Sequence, residues 1–263
     1  MTDDEQALLA AVLAAPADDL PRLVLADWYE EHGQGLRAKF VRTQIDLARL
    51  VAADAYDTDE YLAAATAVGG VPNAAYTGWV RRAGLPLAGG VPAVDFKADW
   101  VSVRDPATGT AFGFRRGFVE RVGTETRHLR ALLPAVRRCP VGSLVVAVPG
   151  LTRRALAVRL GPAPAGGWAA AVALEDRLDP TADALAAADR DELFDRLLPW
   201  LHRFWLGWAA RHRDPAHNPE AEWFLRNMPV VFHALDQAAA DLNPYPLVPQ
   251  DPAPGEPPSP SPP

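Results

Sequence analysis

The chain has 263 residues, 49% of them hydrophobic, with 8 Trp: enough apolar material to bury a sizeable core, and too much for a disordered chain. Its formal net charge of −7 argues against a dedicated nucleic-acid binder, which needs a net attractive field for phosphate. The single cysteine, Cys139, excludes an intrachain disulfide, and no apolar run nears the ~18 residues of a membrane span.

The first element is a helix from Glu5 to Ala14, with Leu8, Leu9, Val12 and Leu13 inward and Pro16 after its end. The acidic opening, Asp3, Asp4 and Glu5, does not read as a secretory leader, so a cytoplasmic location is expected. A second helix starts at Asp18 or Asp19, with Pro21 in its first turn, and runs to about His32 before Gly33 and Gly35. Leu20, Leu23, Val24 and Trp28 make an apolar face on it, and at 100° per residue Asp27 falls in the middle of that face. A third helix runs from about Leu36 to Leu50. There Phe40, Leu47, Ala48 and Val51 share a face with Arg37 and Gln44. A carboxylate on a core face needs a partner, so the spacing predicts a polar staple of Asp27 with Arg37 or Gln44.

These two helices carry a resemblance. The run from Leu8 to Gly33, with Arg22-Leu23-Val24 and Ala26-Asp27-Trp28, and the run from Arg37 to Leu50, with Phe40-Val41-Arg42 and Gln44, resemble the bacterial repeat-companion domain family. A central stretch, Arg116 to Val122, resembles it more weakly. Lys39 stands where the family pattern has an acidic residue, and Gln34-Gly35-Leu36 where it has Asp-Pro. Members of this family are often found ahead of leucine-rich repeats, and the resemblance brings no known activity with it.

After acidic Asp54, Asp57, Asp59 and Glu60, a short helix is expected over Tyr61–Val68. The Gly- and Pro-rich stretch 69–98 reads as a linker, with Trp79, Val80 and Leu85 as candidates to pin it to a core. From Trp100 the period changes to two. Trp100–Val103 and Ala111–Phe114 flank a turn at Asp105–Gly109, and Phe118–Val122 follows as a third strand. A helix over about Glu125 to Arg138 and a strand over Ser143–Val148 complete a strand–helix–strand unit of leucine-rich-repeat length. No further copy follows, so the chain lacks the stacked repeats. Leu156–Leu160 and Trp168–Leu174 form a second hairpin. A helix is expected from Asp183 to Arg213, kinked or divided at Pro199, and another from Asn218 to Leu242. From Asn243 the proline-rich tail reads as disordered.

The expected fold is α+β: an N-terminal helical module (1–68), a linker (69–98), then a domain (99–242) with a central mixed β layer, its helix and a C-terminal helical layer, and a tail (243–263). No Gly-x-Ser-x-Gly elbow, phosphate loop or dinucleotide fingerprint is present, and His212 and His217 straddle a helix break at Pro215, so no cofactor or metal is expected. The stripe of Leu197, Leu201, Phe204, Trp205 and Trp208 reads as core. Charge is segregated. Residues 101–160 hold eleven Arg against three acids, a balance of +8, between acidic flanks. Arg115, Arg116, Arg121, Arg137 and Arg138 are candidate contacts for an anion or a partner. The blander expectation is that flanking acids neutralise them. Three functions are therefore weighed: a non-enzymatic interaction module with a protein partner, binding of nucleic acid or another anion by the arginine-rich middle, and an enzyme whose site carries no known motif.

Overall fold

The structure, a computed structural model, describes residues 2–149, 155–174, 177–178 and 184–245; the proline-rich tail beyond Tyr245 lies outside the described residues. Five helices come first: α1 (Asp3–Ala14), α2 (Leu20–Glu31), α3 (Gly35–Ala52), α4 (Asp59–Gly69) and α5 (Asn73–Arg82). Strands β1 (Ala93–Lys97), β2 (Trp100–Arg104), β3 (Ala111–Arg115) and β4 (Phe118–Glu125) follow, then α6 (Thr126–Val136). Next come β5 (Ser143–Ala147), β6 (Ala155–Pro162), β7 (Trp168–Leu174), β8 (Arg177–Leu178) and β9 (Leu185–Ala187). Helices α7 (Arg190–Arg213), α8 (Ala221–Asn227) and α9 (Pro229–Leu242) end the described chain. This is an α+β fold, helices at both ends around one mixed sheet.

The strands lie in the sheet in chain order from β1 to β8, with β9 added beside β7. Among the described residues all strand pairings are antiparallel except β4 with β5, whose parallel register sets Val122 against Leu144. The α6 crossover makes that possible, since parallel strands cannot be joined by a tight turn. Inward residues alternate with outward ones. Val101, Val103, Phe112, Phe114, Leu144, Val146, Leu156 and Val158 are buried against helices, in one core with Leu129, Leu201, Trp205 and Leu235. Phe40 and Leu47 of α3 belong to the same core, so the helical module and the sheet are packed together.

Several elements differ from the sequence expectation. The stretch read as a linker holds α5, whose Tyr76 and Val80 are one turn apart and buried, and the edge strand β1. Apart from Gly78, which lies within α5, its Gly and Pro residues sit between these elements or at their ends. Pro199 does not divide the chain into two helices. It lies within α7, and the buried Leu197, Leu198, Trp200 and Leu201 beside it contribute about 1.5–3 kcal/mol each, against ~3 kcal/mol for an interior proline. That helix starts later than expected because Asp189 caps it, accepting from the Glu192 N–H at 2.8 Å, while Leu185–Ala187 pair with β7. Pro229 divides the last expected helix into α8 and α9.

The β3–β4 hairpin joins the sheet to α2 and α3. Its two turn residues, Arg116 and Gly117, have φ of 47° and 86°, the signature of the tight turn that matches strand twist. A Cβ on Gly117 would stand 2.5 Å from Val41 Cγ2, so glycine lets the turn press against α3. The Gly117 N–H donates to Gln44 Oε1 at 2.8 Å, and Phe118 packs in a second small core with Leu25, Tyr29, Val41 and Ile45.

Candidate functional site

The expected polar staple does not form as predicted. Asp27 has 65% of its side chain exposed and pairs with Arg42 at 2.7 Å, not with Arg37 or Gln44. Arg42 also reaches Glu30 at 2.6 Å. The physical reason is a rotation of the α2 face. The helix buries Arg22, Leu25, Ala26 and Tyr29, and leaves Leu20 and Val24 exposed. Asp27 then points outward. Gln44 is buried and holds the hairpin, donating toward Phe114 O at 3.5 Å as well as accepting from Gly117.

The five candidate arginines go to separate surroundings. Arg115 pairs with the nearly enclosed Asp99 at 2.5 Å. Arg116 donates to Pro16 O and Ala17 O and pairs with Glu120 at 2.9 Å and Asp19 at 3.5 Å. Arg137, at the end of α6, pairs with Asp191 and Asp195 of α7, both at 2.7 Å, and these carboxylates raise its pKa. Arg121 lies on the outer face of the sheet, its guanidinium 5.4 Å from the centre of the Trp100 ring. Arg138 remains. It forms no ion pair among the described residues and lies beside Gly84, where a Cβ would stand 2.5 Å from Nη2. Gly84 has φ of 75° and both bends the chain after α5 and leaves room for this side chain.

Arg138 opens into a cavity of about 100 Å3 where helices and sheet meet. Helix α1 contributes Glu5 and Leu9, α2 Tyr29, α3 Arg37, and α5 Trp79 and Arg82. The hairpin contributes Phe114, Phe118 and Val119, and the end of α6 brings Arg138, Cys139 and Pro140. Trp79 is oriented by stacking on Phe40, with ring centres 4.7 Å apart. Glu5 is only 3% exposed, and its nearest cation is Arg82, at 3.8 Å.

Arg37 is the unusual member. It is 8% exposed, and its Nε and Nη1 are enclosed without a hydrogen-bond partner. No carboxylate among the described residues pairs with it. Its contacts are with rings instead: Tyr29 at 5.0 Å, Trp79 at 5.1 Å and Phe118 at 5.9 Å from ring centre to guanidinium carbon. Cation–π contacts of this kind are worth ~2 kcal/mol when desolvated, whereas burying an ion costs several kcal/mol after relaxation. The π faces hold the guanidinium in place but leave in-plane N–H groups unanswered. Cys139 is no nucleophile here: burial pushes its thiol up to about 11, against which the nearby Arg190, Arg138 and Arg37 charges pull only partly.

Three further buried charges, Arg22, Glu120 and Arg190, are structural. Arg22 and Glu120 pair at 2.7 Å across the module and the hairpin. Arg190, at the start of α7, donates to the carbonyls of Val136, Arg137 and Cys139 that end α6, and burial lowers its pKa to about 10. The sequence reading missed Arg22, Glu5, Arg82 and Arg190. Arg22 did leave a signal, since Arg22, Leu25, Ala26 and Tyr29 are spaced as one helical face. Glu5, Arg82 and Arg190 left none.

The fold and cavity define an α+β protein with a small, mostly apolar pocket around an unpaired cation. No protein family, curated protein or solved structure matches this chain. Among the described residues no helix is long and apolar enough to cross a membrane, and no group of three or more His, Cys, Asp or Glu could hold a metal ion.

Proposed function

We propose that the protein is a non-catalytic interaction module, and that it recognises an anionic group of a partner in the Arg37 cavity. The observation that carries this reading is the enclosed Arg37 guanidinium, with two unbonded nitrogens and no carboxylate paired with it among the described residues. Arg22, Arg116 and Arg137 each have a carboxylate, and the buried Arg190 has backbone carbonyls instead. A desolvated charge without one is a ready counter-charge for a ligand. The resemblance to the repeat-companion family, which keeps company with leucine-rich repeats, supports a role in binding.

Affinity capture from the host lysate with the full chain and with Arg37→Met tests it. A partner retained by the native chain and lost with the variant, at unchanged fold, is the expected result. The same partners on both chains would overturn the reading. Polyanion binding by the arginine-rich middle keeps one observation in its favour, Arg121 over Trp100 on the outer sheet face. Nuclease treatment separates the two, because only the second loses its captured material.

A further inference from the structure

We infer that the Arg37 cavity is an α-carboxylate pocket: it takes one carboxylate carried next to an N–H group and an apolar side chain, as in a free amino acid or the last residue of a chain. The inference rests on the reading of this cavity as the binding site, and names its ligand.

Four features of the cavity lead to that class. The first is the geometry of Arg37. Rings of Tyr29 and Trp79 lie 5.0 and 5.1 Å from its guanidinium carbon but offer no lone pair, so Nε and Nη1 of the guanidinium fork are left without an acceptor. A planar, two-oxygen acceptor fits such a fork, and a carboxylate is the commonest one.

The second is charge. Three cations, Arg37, Arg82 and Arg138, share the cavity with Glu5. Arg82 has Glu5 at 3.8 Å, which leaves Arg37 and Arg138 in excess. An anion is attracted, but the enclosed Glu5 carboxylate opposes a second negative charge on it. That favours a monoanion over a phosphate dianion. Glu5 also supplies an acceptor for an N–H or ammonium beside the ligand's carboxylate.

Size and lining complete the description. The cavity holds about 100 Å3. One water needs roughly 10–15 Å3 of such space, so the cavity suits a group the size of one amino-acid residue rather than a nucleotide. Leu9, Phe114, Phe118 and Val119 line it, which suits an apolar side chain and gives nothing for a polar one to bond.

The test is titration of the full chain, followed by tryptophan fluorescence and melting temperature, with five probes: leucine, N-acetyl-leucine, N-acetyl-leucine amide, a short peptide ending in leucine, and inorganic phosphate. N-acetyl-leucine is expected to bind and raise the melting temperature. Its amide should bind at least about tenfold more weakly, because it loses the charge that meets Arg37. Free leucine binding tightest identifies a small-molecule ligand, and the peptide binding tightest identifies a chain terminus; either supports the pocket. Arg37→Met should abolish binding. Should that variant not fold, Arg138→Ala changes an exposed side chain and is expected to weaken binding by about tenfold. Equal binding of acid and amide, or phosphate binding as well as the acid, would overturn the inference. So would the absence of any signal from the acids at about 10 mM, a level at which even a weak site fills. In that last case partner capture still decides the broader reading, since it does not depend on which anion the partner presents.

Discussion

Arg22 on α2 and Glu120 on β4, 98 residues apart in the chain, meet at 2.7 Å with the guanidinium wholly enclosed. Arg116 joins the same carboxylate at 2.9 Å. Burial lowers the pKa of Arg22 and raises that of Glu120, and each group's opposite charge works against the shift. The pair is the polar centre of the contact between the helical module and the hairpin. The Arg22 guanidinium carbon lies 5.8 Å from the centre of the Phe118 ring, so an aromatic side chain adjoins the pair.

Glu120→Ala should therefore cost about 3–5 kcal/mol, the range for leaving a buried charge without its partner. Combining it with Arg22→Met should recover much of that loss, because the orphaned charge is gone. Denaturant unfolding of the two single variants and the double variant measures this coupling. Additive losses would show that the two groups do not act as a pair.

Asp27 calls for the opposite outcome. Its carboxylate is mostly exposed and its partner Arg42 also has Glu30, so solvent screens the pair and a substitute is at hand. Asp27→Ala should change stability by less than about 1 kcal/mol. A drop of many degrees in melting temperature would mean that Asp27 is buried after all.

The difference between these two residues shows how far the sequence could be read. Period-two runs with a Pro-Gly turn made β2, β3 and their hairpin legible, and Leu129, Leu132, Leu133 and Val136 made α6 so. On α2 the apolar count favoured Leu20, Leu23, Val24 and Trp28. The buried face instead begins with an arginine, because the hairpin offers Glu120 there, and no local pattern records a partner so far along the chain. The candidate site had the same obstacle. Arg37 was visible as a polar residue on a core face, and Arg138 as part of a basic cluster. Their meeting with Glu5 and Trp79 depends on how four separate elements, α1, α3, α5 and the end of α6, pack. The helix α5 was hidden by the Gly and Pro residues that bracket it.

Gly117 should tolerate no side chain. Its φ of 86° is strained for any other residue, and Val41 fills the space a Cβ would need at 2.5 Å. Gly117→Ala should destabilise by about 2 kcal/mol or more, from backbone strain and from displacement of the turn. A second readout is Arg37. If the hairpin lifts from α3, Phe118 leaves the guanidinium and the cavity opens, so ligand binding should fall along with stability. A fully stable Gly117→Ala protein would show that the turn is not pressed against α3.

Asp105 gives the fold a defined response to acid. It is 1% exposed at the β2–β3 turn. Burial pushes its pKa up, but the N–H groups of Ala88 at 3.0 Å and Ala107 at 3.1 Å and the Thr108 hydroxyl at 2.8 Å outweigh that, with help from the His128 charge, and the net shift is downward. A carboxylate with a lowered folded pKa adds stability that is present above its unfolded value, ~3.9, and is lost as pH falls through the folded one. Asp105→Asn removes the charge and leaves at least one of the three donors without an acceptor, so at neutral pH it should cost about 1–3 kcal/mol. The gap between the native chain and this variant should narrow below about pH 4, as the native carboxylate takes up its proton. Unfolding curves collected across that interval check the sign. A gap that widened on acidification would place the pKa of Asp105 above its unfolded value, and the three hydrogen bonds would not be the dominant interaction.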